Sequence, residues 1–179
     1  RMSLSKRKQL KDNTANNNIF NKSIITKKVV LSIVNIGKNL SDTINKYLVT
    51  NIEGKCIQEG YVRSGSCKII SYSSGTIVNG SDILIEVVFE CLLCHPVEGM
   101  LINCKITNIT KAGIKAESIF DDISPFILFI ARDYSSQNED FVSKKVGDYI
   151  VAKTIGVRFE LNDSYVSIIG IINIDKKKI

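Results

Sequence analysis

The run Cys91-Leu92-Leu93-Cys94-His95 has the pattern C-x-x-C-H. That spacing serves covalent haem attachment, and its cysteine pair is the first half of a zinc site. Haem attachment needs an exported chain, and no apolar core of signal-peptide length follows the basic first residues. Tetrahedral zinc needs two further ligands, yet His95 is the only histidine. In a strand, Cys91 and Cys94 point to opposite faces and cannot share a metal without a tight turn between them. Buried structural thiols are the expectation, with no metal and no cofactor.

A lone histidine also removes most nucleophilic schemes, because no Ser/His/Asp set can be assembled except around His95. The glycine motifs lack a following Lys-Ser or Lys-Thr, so no phosphate loop is present. Asp121 and Asp122 form an acidic pair beside Ser124-Pro125, where a solvated loop is the simpler reading than a general acid and base. A non-enzymatic role follows. What remains is a set of cations with one aromatic ring: Lys105, Lys115, Phe129, Lys153 and Arg158 on strand-like segments, with Arg132 just after the third. Rings that stack on bases and cations that follow phosphates suit single-stranded RNA. The competing reading is an ordinary solvated sheet face with Phe129 in the core.

The chain has 179 residues, a pI near 9.0 and a net charge of +6. Residues 1–23 carry +5 and residues 175–179 carry +2, which leaves −1 for residues 24–174. The folded body is about neutral, so any nucleic-acid binding must come from a local patch or from the tails. No apolar run approaches the roughly 18 residues of a spanning helix, so no membrane partner is expected. Five cysteines without framework spacing read as reduced thiols.

Two modules must position these residues. Residues 1–23 and 175–179 read as basic tails, the first either a solvating disordered extension or an arm that touches acidic protein or phosphate. A β-branched strand at residues 24–34 is stopped by Gly37. Asn39 then caps a helix whose apolar face is Leu40, Ile44, Tyr47 and Leu48. Strands follow at residues 55–58, 61–72, 75–78 and 83–93, punctuated by Gly60, Gly65, Gly75 and Gly80. Residues 24–96 are therefore an α+β module, a strand and helix followed by an antiparallel sheet. From Met100 to Thr107, and again from Ile114 to Glu117, apolar and polar residues alternate around a turn at Lys111-Ala112-Gly113. That hairpin, the run Phe126–Ile130, a loop at residues 134–145 with or without a helical turn, and strands at 149–159 and 165–172 fit an all-β, five-stranded oligonucleotide-binding (OB-fold) barrel over residues 97–174.

The order EGKCIQEGYV at residues 53–62, SSGTIVNGSDILIEVVFECLLCHPVEG at 73–99 and MLINCKITNITKAGIKAE at 100–117, with Phe129-Ile130-Ala131-Arg132 beyond, resembles the stalk subunit of multisubunit RNA polymerases. This is the seventh subunit of eukaryotic RNA polymerase II, together with its archaeal counterpart. The resemblance covers residues 24–173 and rests on order and spacing rather than on one motif. It implies a ribonucleoprotein-like tip domain at residues 24–96 that docks on the polymerase core beside the clamp, and an OB-fold domain that faces nascent RNA. A fourth-subunit-type partner completes the stalk. By matching position, Gly60, Tyr61 and Val62 would sit in a tip loop facing the core, and Phe129 and Arg132 on the RNA side. The chain departs from the family at Lys115, where an aromatic residue is usual, and in its basic tail. A free-standing OB-fold RNA-binding adaptor of translation or RNA decay is the alternative. Richness in Asn, Ile and Lys suits an AT-rich genome, of a protist or of a large DNA virus. The expected location is the nucleus for a cellular protein, and the host cytoplasm or virion for a viral one.

Overall fold

A computed structural model of the chain describes residues 19–36, 39–119, 123–134 and 139–173. The expectations for residues 1–18, Gly37, Asp121, Asp122 and 174–179 lie outside the described residues. Two compact units are present, one of residues 20–95 with 159–166, the other of residues 96–158 with those from 167 onward.

The first unit contains β1 (Phe20–Ser32), α1 (Leu40–Asn51), β2 (Cys56–Ile57), β3 (Gly60–Val62), β4 (Lys68–Tyr72), β5 (Thr76–Val78) and β6 (Asp82–Cys94). The 13-residue β6 is its axis. One edge of β6 pairs antiparallel with all of β1, from Phe20 opposite Cys94 to Ser32 opposite Asp82. Its other edge takes β3, β4 and β5 in succession, and β2 extends the sheet beyond β3. Asn39 caps α1 as expected, its side chain accepting the Ser41 N–H at 3.1 Å, with Asp42 in the positive first turn. Ile44 and Leu48 are buried against Val29, Ile85, Val87 and Phe89, each such side chain contributing about 2 kcal/mol of apolar burial.

Two of the boundaries that differ from the sequence expectation have a visible cause. Strand β1 starts at Phe20 rather than Ile24, because Phe20 is buried beside the Tyr61 ring, at 6.4 Å between centroids, with the Arg63 guanidinium 5.2 Å from its own centroid. The strand expected over residues 61–72 is broken after Val62. Gly65 takes φ +74, and the Glu53 carboxylate accepts the N–H groups of Gly65 at 2.8 Å and Cys67 at 3.1 Å, which holds a turn between β3 and β4. Residues 159–166 belong to this unit through β2: Cys56 N–H donates to the Asp163 carbonyl at 2.7 Å and Asn162 N–H to the Cys56 carbonyl at 2.9 Å.

The second unit is a closed barrel of β7 (Leu101–Ile109), β8 (Gly113–Ser118), β9 (Phe126–Ala131), β10 (Tyr149–Arg158) and β11 (Val166–Ile172), in the cyclic order β10-β11-β9-β8-β7. A short helix, α2 (Glu139–Val142), lies between the third and fourth strands of the barrel and supplies the helical turn that the loop segment allowed. Five strands closed in this order are compatible with an OB-fold. Alternation fills the interior with Ile102, Cys104, Ile106, Ile114, Leu128 and Ile130, all at most 4% exposed. Burial pushes the Cys104 thiol up to about 12. Bulges between Ile106 and Asn108 and between Thr154 and Gly156 bend the strands.

Candidate nucleic-acid interface

The outward positions of β7, β8, β9 and β10 carry most of the residues picked out from the sequence. Along β9 the pattern is strict: Phe126, Leu128 and Ile130 are buried, and Phe129 points outward at 36% exposure. Phe129 is therefore not a core residue. It faces Lys115 across the β8–β9 ladder, and Lys115 in turn faces Asn108 on β7. The Lys115 ammonium lies 3.8 Å from the Glu117 carboxylate two residues along the strand, with both side chains well exposed. An exposed pair of this kind contributes little to stability, so Lys115 can exchange Glu117 for a phosphate at small cost.

Lys105 occupies the next row. It is opposite Glu117 on one side and Tyr149 on the other, and it is exposed. Tyr149 is 40% exposed and adds a second aromatic ring to this face. The residues picked out from the sequence do not include Tyr149, although its signal is present. It is the first residue after Gly147-Asp148, on a strand whose even-numbered neighbours Ile150 and Ala152 are apolar.

Arg132 sits at the β7–β8 turn. Its N–H donates to the Ala112 carbonyl at 3.0 Å, one guanidinium nitrogen donates to the Thr110 carbonyl at 3.4 Å, and the guanidinium lies 5.7 Å from the Phe141 ring centroid. Lys115, Phe129 and Arg132 thus share one end of the barrel wall, flanked by Lys105 and Tyr149. Lys153 is exposed but belongs to the opposite end of β7, opposite Leu101. Arg158 is not brought into the group. It ends β10 opposite Ser167, nine residues beyond Tyr149, or about 30 Å of strand.

Gly60, Tyr61 and Val62 do not form a loop. They are β3, with Tyr61 3% and Val62 0% exposed, because Tyr61 is paired to Cys56 on one side and Cys94 on the other. Buried side chains of this kind shape the surface above them. A Cβ at Gly60 would lie 2.6 Å from the Cys94 carbonyl oxygen, so glycine there permits the β3–β6 approach.

The C-x-x-C-H residues are spread through the first unit. Cys91 adjoins Cys67, Cys94 lies in β6 opposite Phe20 and Tyr61, and His95 packs edge-on to Phe159 at 6.0 Å. Burial, helped by the Asp163 charge, pushes the Cys56 thiol up to about 11.

No protein-family model matches the chain. It is 27% identical, over 141 residues, to a protein of Acanthamoeba polyphaga mimivirus provisionally named a DNA-directed RNA polymerase subunit, covering 71% of this chain and 70% of the viral protein. It is 24% identical, over 115 residues, to DNA-directed RNA polymerase II subunit RPB7 of Glycine max, covering 63% of this chain. That match spans 62% of the plant protein, less than two thirds of its length. The chain is thus similar to RNA polymerase subunits, among them one viral and one plant protein, as the motifs between Glu53 and Arg132 anticipate.

Proposed function

We propose that the chain is a non-catalytic subunit of a DNA-directed RNA polymerase, acting in transcription, and that the outer wall of its barrel contacts nascent single-stranded RNA. Similarity to the two polymerase subunits supports the first part. The observation that carries the second is the pairing of Lys115 with Phe129 on the second and third barrel strands, the face on which barrels of this architecture take up oligonucleotides. A half-exposed ring beside an exposed amine offers one stacking platform and one phosphate contact. Arg132, Lys105 and Tyr149 extend the track, and Lys153 lengthens it toward the other end of β7. Arg158 is left as a separate, distal contact.

On the same reading, the ribonucleoprotein-like sheet unit docks on the polymerase core, with Gly60, Tyr61 and Val62 as its supporting floor. A fourth-subunit-type partner completes a stalk. The protein then works in the nucleus or, if viral, in the host cytoplasm or virion.

Affinity purification from the source cell or infected host tests the assembly. Co-elution of the polymerase core subunits in stoichiometric amount is expected. Recovery of the chain with RNA but no polymerase subunit would favour a free-standing adaptor and overturn the reading.

A further inference from the structure

Cys67 immediately precedes Lys68, which pairs with Glu90, so the antiparallel register carries Cys67 opposite Cys91. Both face the core. Cys91 is 1% exposed, and Cys67 packs half-buried against the cluster that contains it. Opposed residues of an antiparallel ladder have Cα atoms about 4.5–5.5 Å apart, inside the roughly 4.4–6.8 Å that a disulfide requires. The other cysteines are not opposed in this way: Cys56 and Cys94 stand two strands apart with Tyr61 between them, and Cys104 lies in the barrel.

We propose that Cys67 and Cys91 form a redox modification site, which hydrogen peroxide closes into a disulfide that fastens β4 to the central strand β6. β4 pairs with no other strand among the described residues, so its attachment to the sheet rests on this one ladder. The neighbouring Cys67 thiol lowers the Cys91 thiol while itself being held up, and this favours Cys91 as the attacking thiolate. Its sulfur attacks one peroxide oxygen, the O–O bond breaks, and the departing hydroxide takes a proton to become water. Cys67 sulfur then attacks the resulting sulfenic acid. The Sγ–Sγ bond forms, the S–O bond breaks, and hydroxide leaves with the Cys67 proton as a second water. Two thiols lose two electrons and the peroxide gains them. The half-exposed Cys67 marks the side from which the oxidant enters.

The test uses the full chain, reduced and then treated with stoichiometric hydrogen peroxide. Non-reducing peptide mapping should find one cross-link, joining the peptides of Cys67 and Cys91. Closing the loop between them constrains the unfolded chain, so Tm should rise by about 5 °C and return when the disulfide is reduced. Cys67→Ser should abolish both the cross-link and the rise. A cross-link through Cys56, Cys94 or Cys104, or oxidation of Cys67 or Cys91 to sulfinic acid without a cross-link, would overturn the proposal. So would a peroxide-induced Tm rise that survives in Cys67→Ser. Mapping of the unmutated chain decides the matter even if the variant does not fold.

Discussion

Lys115 and Phe129 stand directly opposite each other on β8 and β9, and the Phe129 ring lies over Gly113, two residues before Lys115. The glycine leaves the surface hollow that the ring covers: a Cβ there would sit 3.0 Å from Phe129 Cζ. An aromatic ring held over a glycine is fixed in place without being buried. It is thus oriented before any base arrives.

Phe129→Ala should leave the barrel folded, since its neighbours Leu128 and Ile130 supply the core. Single-stranded RNA binding, read by fluorescence anisotropy, should weaken by about 1–3 kcal/mol, the contribution of one stacked base. Lys115→Ala should flatten the dependence of log K on log salt by about 0.7, one phosphate contact on a single strand. Arg158→Ala should have a smaller effect than either, because Arg158 is a distal contact at the far end of β10. An equal loss from Arg158→Ala would move the RNA track away from the β8–β9 wall.

Gly113→Ala makes a different demand. Its Cβ would collide with the Ile130 carbonyl on β9. The ladder must open at that point, and a loss of about 2 kcal/mol or more is expected in urea unfolding, with the m-value unchanged.

Thr154 is 1% exposed, and its hydroxyl finds no hydrogen-bond partner among the described residues. Its backbone remains tied, N–H to the Met100 carbonyl at 2.8 Å and carbonyl to the Gly99 N–H at 2.8 Å. Thr154→Val removes the unsatisfied hydroxyl and keeps the shape of the side chain. Stability should increase by about 1 kcal/mol, measured as a rise in the urea midpoint.

Alkaline pH offers a test of the barrel core. Cys104 is raised from an ordinary value of 9.0 to about 12 by burial. In the unfolded chain this thiol ionises near pH 9, whereas in the barrel it stays neutral until about pH 12. The folded state therefore holds one more proton in that window. Its contribution is fully present below pH 9 and is lost as pH rises toward 12. Replacing Cys104 with Ala should lower stability at pH 7 through the cavity it leaves, yet make the decline between about pH 9 and 11 shallower.

Local chemistry made much of the fold legible. Asn39 has the right side chain to cap a helix, and Ile44 and Leu48 have the right spacing to bury one face of it. The alternation of β7 and β8 exposed the barrel walls in the same way. Broken alternation was harder to read. The bulge at Ile106–Asn108 leaves Thr107 and Asn108 both exposed, and nothing in Ile-Thr-Asn announces it. The break after Val62 was marked by Gly65, but its cause is the Glu53 carboxylate, a dozen residues away.

Sequence by itself determined the near-neutral charge of residues 24–174, the single histidine and the likeness to polymerase subunits, because each follows from residue identity and spacing along the chain. Tertiary structure alone decided which of the picked residues share a surface. Cross-strand register, a property of hydrogen bonds between distant segments, put Phe129 beside Lys115 and Tyr149 beside Lys105, and left Arg158 apart. The same kind of pairing buried Tyr61 and Val62 between neighbouring strands, and set Cys67 against Cys91 across 24 residues of chain.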